Sequence, residues 1–270
     1  MYSSITLGSN GRLGNQLFQY AALRAVSVMN AGPTCLLPPD LNLGSSGVNS
    51  HRMHIFNSKA IYMPKQVIQN NIKNVFKEKS FHFDKDFFSL PYNTDIYGYF
   101  QSEKYFKDIE YLIRKELTFI DPIKIATDQI LTSLKLDKNR SITSIHVRRT
   151  DYLNLSEHHP VCSKEYFEEA KKNFSNTQYL IFSDDPKWCE ENLKDENSII
   201  INTGKDILDL SLMSRCDNNI ICNSSFSWWG AWLNSNKNKL VIAPQKWFGP
   251  AYSHYNLSDL IPESWKKICI

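Results

Sequence analysis

Ser141-Ile142-Thr143-Ser144-Ile145-His146-Val147-Arg148-Arg149-Thr150-Asp151 is an apolar, β-branched run that stops abruptly on two arginines. It predicts a strand over Ile142–Val147 with charged residues at its carboxyl end. The same grammar repeats downstream. Apolar runs at Tyr179–Phe182, Ile199–Ile201, Asn219–Cys222 and Leu240–Ala243 alternate with helical stretches near 163–173, 186–194, 205–215 and 225–235. A βαβ series of this kind builds a parallel sheet covered by helices on both faces. Such sheets bind ligands beyond the carboxyl ends of their strands.

Upstream the pattern is looser. Ser4–Leu7 reads as a short strand, followed by a glycine-punctuated loop and an apolar helix over Leu13–Met29. Leu17, Ala21, Ala25 and Val28 recur at helical spacing along it. A second strand is expected over Thr34–Leu37, stopped by Pro38-Pro39, and another over Asp95–Phe100. A helix is expected over Ser102–Leu117, and a further one opens at Asp121-Pro122, where proline suits the first turn. Residues 40–92 are polar and aromatic-rich, broken by Gly44, Gly47, Pro64 and Pro91, and give no regular period. The expectation is two α/β halves, residues 1–135 and 136–270, with a ligand in the cleft between them.

Composition narrows the function. The chain has 270 residues, 42% of them hydrophobic and 22% charged, with a net charge of +3. Its longest basic run is a pair, so a nucleic-acid partner is excluded and any bound anion is small and locally held. No stretch approaches the roughly 18 apolar residues that a membrane-spanning helix needs. Met1–Gly8 reads as a buried strand without a charged leader, so a cytoplasmic protein is expected, with peripheral membrane contact left open. The six cysteines lack C-x-x-C spacing and read as reduced core thiols.

Three strand ends carry candidate chemistry. In the first, His146 and Arg148 project to one side of an extended chain and Arg149 to the other. An arginine there offers a planar, permanently charged fork for a phosphate or pyrophosphate. The other arginine pairs with Asp151 or an acid nearby. In the second, Asn223-Ser224-Ser225-Phe226 precedes a strongly apolar helix. Ser224 or Ser225 can cap it, leaving N–H groups and the positive dipole end for an anion. Trp228, Trp229 and Trp232 further along read as core. In the third, Asp184 and Asp185 follow Phe182-Ser183, where a carboxylate can accept from a guanine edge or a ribose, or cap the helix opening at Pro186.

The N-terminal loop, Gly8-Ser9-Asn10-Gly11-Arg12-Leu13-Gly14-Asn15-Gln16, has GxxGxxG rather than dinucleotide GxGxxG spacing. No acidic residue follows at the distance a nicotinamide ribose needs, which argues against a dehydrogenase. Asn15 and Gln16 still place polar side chains beside a backbone that a ligand can approach. Asp84-Lys85-Asp86 has the spacing of a metal-binding Asp-x-Asp pair but reads as a solvated loop, and His51-x-x-His54 lacks a third ligand. No metal or other cofactor is expected. No carboxylate stands out as a general base; Asp151, Asp95, Glu103 and Glu157 are the candidates.

Taken together, Gly11–Ala21, Gly98-Tyr99-Phe100-Gln101-Ser102, His146–Tyr152, Ser183-Asp184-Asp185 and Asn223–Trp232 resemble, in order, the bacterial α-1,2-fucosyltransferases of glycosyltransferase family 11. The H-x-R-R-x-D element is also similar to that of α-1,6- and protein O-fucosyltransferases. The resemblance implies a GT-B fold of two Rossmann-like domains facing each other across a cleft. It implies GDP-fucose as donor, held mainly by the C-terminal half, and inverting transfer to a galactose-containing glycan. It assigns Arg148 to the donor pyrophosphate and Asn15 to the catalytic centre. His146, Arg149, Asp184, Asn223, Ser224, Ser225, Phe226 and Gly14 are expected around the donor. Tyr99 and Gln101 are expected on the acceptor side, with Asp151 as structural support. A carbohydrate- or nucleotide-sugar-binding module without catalysis is the competing class.

Overall fold

A computed structural model describes residues 1–30, 32, 35–39 and 50–269. The chain divides into two compact units, Met1–Ile120 with Tyr255–Pro262, and Asp121–His254 with Glu263–Ile270.

The first unit contains β1 (Tyr2–Ser3), α1 (Leu13–Met29), β2 (Cys35–Leu37), β3 (Ile61–Tyr62), α2 (Lys65–Asn71), β4 (Asn74–Lys77), β5 (Thr94–Tyr97) and α3 (Glu110–Glu116). Its strands are all parallel, in the order β3-β2-β1-β5-β4. The opening strand lies at Tyr2–Ser3 rather than at Ser4–Leu7. The Asp95 carboxylate takes the Ile5 N–H at 3.0 Å, and Leu7 N–H turns back to the Ser4 carbonyl. β5 ends at Tyr97, short of the expected Phe100, because the next amides bond to a side chain. The helix expected over Ser102–Leu117 is two 3₁₀ turns, Glu103–Tyr105 and Lys107–Ile109, before α3. Phe106 breaks it: its backbone is extended in φ (−140°) while its buried ring meets Phe18.

Thr34, Gly44 and Gly47 lie outside the described residues. The aperiodic stretch after them supplies β3, α2 and β4. Its aromatic content is core: Phe87 lies 5.3 Å from Phe100 and 5.0 Å from Tyr105, all three fully buried. A cluster built from rings far apart in sequence leaves no period to read.

The second unit contains α4 (Asp121–Ser133), β6 (Ser141–Val147), α5 (Lys164–Lys171), β7 (Thr177–Ser183), α6 (Pro186–Asn192), β8 (Ser198–Ile201), α7 (Asp206–Ser214), β9 (Asn218–Ile220), α8 (Ser225–Leu233), β10 (Val241–Pro244) and β11 (Lys266–Ile268). All strands are parallel, in the order β11-β10-β9-β6-β7-β8. Counted from β6, that is the doubly wound order 3-2-1-4-5-6, with the chain reversing direction between β6 and β9. Each strand and helix expected beyond Ser141 is present; β11, short and lysine-rich, is additional.

α4 belongs to this unit, so the division precedes Asp121 rather than falling between residues 135 and 136. Thr127 donates to the Ser211 hydroxyl at 2.8 Å and Arg215 pairs with Asp128 at 2.7 Å. Residues 255–262 return to the first unit, where the buried Asp259 carboxylate accepts from Phe83 N–H at 3.1 Å and pairs with Lys104 and His82.

Trp228, Trp229 and Trp232 are buried, as expected of core. Gly230 lets α8 lie against α7, since a Cβ there would stand 3.0 Å from Met213. Five cysteines are buried thiols and Cys269 is exposed; none is in a disulfide.

Candidate active site

In the second unit Arg148 and Arg149 follow β6, and Asn223, Ser224 and Ser225 follow the neighbouring strand β9. Strand alternation separates the arginines. Arg148 donates through Nε (2.8 Å) and Nη2 (2.7 Å) to the two oxygens of Asp151, and its Nε lies 3.2 Å from Asp184. Burial opposes its charge, but the bond to Asp151 and the charge of Asp184 raise its pKa above the usual value. Both N–H groups of Nη1 remain without a protein partner among the described residues, and they form the open side of the fork.

Arg149 takes the other face. Its Nε meets Asp185 at 3.4 Å and its guanidinium lies 4.1 Å above the Trp188 ring. Arg149 therefore pairs with Asp185, and Asp151 serves Arg148. Asp185 also accepts the Trp188 N–H at 3.1 Å and caps α6. Asp184 neither caps a helix nor stands free. Its oxygens accept Arg149 N–H at 2.9 Å, Thr150 N–H at 3.2 Å and the Thr150 hydroxyl, clamping the arginine turn.

His146 is buried beside this turn. Its Nδ1 lies 3.2 Å from the Cys222 sulfur and its ring 5.4 Å from Phe226. Burial, with the Arg148 charge, pushes its pKa down to about 4, so the imidazole is neutral at ordinary pH. Burial raises the Cys222 thiol, which therefore stays protonated.

Ser224 is the cap of α8, accepting Phe226 N–H at 3.3 Å, while its own N–H bonds to Cys222 at 2.8 Å. Of the three amides at Ser224–Phe226, only that of Ser225 carries no protein partner among the described residues. Asn223 is committed within the protein: its amide nitrogen donates to the Pro160 and Trp247 carbonyls at 2.8 and 2.9 Å. It holds the turn from behind.

In the first unit the sheet order breaks between β1 and β5, and the segments that follow these two strands bring Asn15 and Gln101 together. Gln101 donates from Nε2 to Asn15 Oδ1 at 2.8 Å. Its own Oε1 is buried and finds no partner among the described residues. Gly11, at φ +90°, leaves the space that Asn15 fills; a Cβ there would stand 2.4 Å from Asn15 Nδ2. Gln16 and Gln19 hold the same loop, donating to the Gly11 and Asn10 carbonyls at 3.0 and 2.7 Å. Gly14 sits in the first turn of α1, in this unit and not in the one that holds Arg148.

Tyr99 stacks with Phe81, ring centroids 6.3 Å apart, and its N–H bonds to Glu78 at 2.6 Å. Glu78 carries no site signal in the sequence, because it follows a strand of only four residues, β4. Asp95, a candidate base, is buried and accepts from Ser3 at 2.7 Å and from Ile5. Asp84 caps the turn Lys85–Ser89 by accepting Asp86 N–H at 3.0 Å.

The sequence profile of glycosyl transferase family 11 matches residues 2–266. An O-antigen biosynthesis glycosyltransferase, WbnK, of Escherichia coli is 28% identical over 98% of this chain and 99% of its own. An α-1,2-colitosyltransferase of the same organism is 30% identical over 96% of each chain. A galactoside α-(1,2)-fucosyltransferase 2 of Pongo pygmaeus is 24% identical over 84% of this chain and 68% of its own. Among solved structures, POFUT1 in complex with GDP superposes with a TM-score of 0.56 at 14% identity, covering 89% of this chain and 98% of its own. The fucosyltransferase NodZ from Bradyrhizobium gives 0.53 at 14%, covering 85% and 92%. The fold is of the GT-B type, with two Rossmann-like domains.

Proposed function

The chain belongs to glycosyltransferase family 11, and from that premise we propose that it transfers L-fucose from GDP-β-L-fucose to galactose O2 of a glycan, forming an α-1,2 linkage with inversion. The observation that carries the donor half is that two N–H donors without a protein partner among the described residues, Arg148 Nη1 and the Ser225 amide, follow the carboxyl ends of the neighbouring strands β6 and β9. As the acceptor hydroxyl attacks C1, the bond to the β-phosphate breaks and negative charge grows on the leaving oxygen. Fixed donors aimed at that charge lower the barrier without reorganising. An arginine fork and a helix N-terminus neutralise the leaving group in place of a divalent metal. Asn15 and Gln101 supply amide groups suited to sugar hydroxyls, which favours the first unit for the acceptor.

The test is a donor and acceptor panel with and without EDTA. Fucosyl transfer to galactosides that persists in EDTA is expected. Loss of turnover in EDTA that Mn²⁺ or Mg²⁺ restores would refute the metal-independent reading.

The likeness to the α-1,2-colitosyltransferase favours one second reading, in which the donor carries colitose, a fucose without its 3-hydroxyl. A site built to bond a hydroxyl rejects the analogue lacking it by a factor of about 10⁴. Comparing the two GDP-sugars directly therefore separates the readings.

A further inference from the structure

Glu78 lies immediately after β4, and Gly98 immediately after the neighbouring strand β5. The Glu78 carboxylate accepts the Tyr99 N–H through Oε2 at 2.6 Å and the Phe100 N–H through Oε1 at 2.9 Å. Gly98 is fitted to it, since a Cβ there would stand 2.4 Å from Glu78 Cβ. Phe100, next in line, is held at φ +55°, a left-handed conformation that a bulky residue adopts only when its surroundings impose it. Its buried ring anchors one side of this turn, and the carboxylate anchors the other. One residue on, Gln101 Nε2 meets Asn15 Oδ1 at 2.8 Å.

We propose that Glu78 is a positioning residue for the transfer reaction: it fixes the Tyr99–Phe100 backbone so that Gln101 holds Asn15 in place. The inference rests on the reading that gives Asn15 to the catalytic centre and Gln101 to the acceptor side. Two carboxylate oxygens on two successive amides set both the position and the rotation of the turn, which a single acceptor does not. The register matters because Gln101 has one short bond to make. A misplaced catalytic group one ångström away from its station loses about a hundredfold in rate. Burial pushes the Glu78 pKa up to about 7, against the bonds from Tyr99 and Phe100 that favour the charge. A carboxylate kept in so unfavourable a setting has a geometric task there.

The experiment is a double-mutant cycle between Glu78→Gln and Gln101→Ala, read as kcat/KM for the acceptor, with the GDP Kd from calorimetry alongside. Glutamine keeps one acceptor and turns an NH2 toward the second amide, so it disturbs the turn without leaving a void. Glu78→Gln is expected to lower acceptor kcat/KM at least tenfold while the GDP Kd stays within twofold. In the Gln101→Ala background the same change is expected to cost less than twofold. Additive losses, or acceptor kinetics unchanged by Glu78→Gln, would overturn the proposal. Glu78→Asp serves in the same cycle should the first variant fail to fold. A readout without turnover keeps this result separate from the functional reading itself. In Glu78→Gln protein, hydrogen exchange at the Tyr99 and Phe100 amides is expected to quicken, and the Gln101 side-chain amide signals to shift. An unmoved Gln101 signal overturns the link whatever the substrate proves to be.

Discussion

The two strand-reversal sites of this molecule solve their polar problem in opposite ways. In the second unit, charge is set against charge: Arg148 lies on Asp151 and Asp184, and Arg149 on Asp185 and the Trp188 face. In the first unit, Asn15, Gln16, Gln19 and Gln101 form a network of neutral amides around a glycine loop, and the Glu78 carboxylate is spent on backbone N–H groups rather than on an arginine. The charged site suits a ligand that arrives with its own charge and develops more. The amide site suits one recognised by its hydroxyls. The contrast teaches that the two units differ in the kind of hydrogen bond that each can offer, and under the proposed function that difference would divide the substrates between them.

The most severe way to break that comparison is at Arg148. Arg148→Lys keeps a charge but loses the planar fork, and with it both the Asp151 pairing and Nη1. Turnover at saturating donor is expected to fall about a hundredfold, on the order of 3 kcal/mol of transition-state stabilisation. Arg149→Lys, which disturbs the Trp188 stack, is expected to cost mainly melting temperature. A stable but dead Arg149→Lys beside an active Arg148→Lys would reverse the assignment.

Ser225→Pro comes next and removes one atom's worth of chemistry. Proline is suited to the first helical position, and Ser224 before it already has the extended backbone that proline requires (φ −124°, ψ 128°). The helix should persist while the free N–H disappears, so a loss of roughly ten- to a hundredfold in turnover is expected. Ser225→Ala keeps the amide and is the control. Equal activity in the two variants would show that this amide faces no developing charge.

Gln101→Ala sharpens the other side. It should lower acceptor kcat/KM about tenfold and leave the GDP Kd, measured by calorimetry, near its starting value. Equal loss in both measurements would abolish the proposed division.

The smallest effect is in the pH dependence of stability, where the two sites should differ in sign. The His146 pKa is depressed from 6.5 to about 4 by burial and Arg148. Its contribution is therefore present above pH 6.5 and is lost as pH falls from 6.5 to about 4, where only the unfolded chain takes up the proton. The Glu78 pKa is raised from 4.5 to about 7 by burial. Its contribution is present below pH 4.5 and is lost as pH rises to about 7. In urea titrations His146→Gln should flatten the acid side of the stability curve, and Glu78→Gln the slope between pH 4.5 and 7. The same change from both variants would mean that neither group titrates as its surroundings require.

The sequence by itself determined the second unit almost element by element, because each buried parallel strand is a local apolar run and each helix has its own punctuation. It also determined which residues stand at the strand ends, and that Arg148 and Arg149 face opposite ways, since alternation is a property of the extended chain. The first unit was less legible: short strands such as Tyr2–Ser3 and Asn74–Lys77 carry little local signal, and its aromatic core is assembled from distant rings. Partners were decided only by the tertiary structure. Asp151 rather than Asp185 serves Arg148, Asn223 is spent on carbonyls from two other loops, and Glu78 reaches the turn that carries Gln101. Each is a contact whose two ends are fixed by different elements. Pairing of that kind follows from how strands are ordered in the sheet, and strand order is not written in any single stretch of chain.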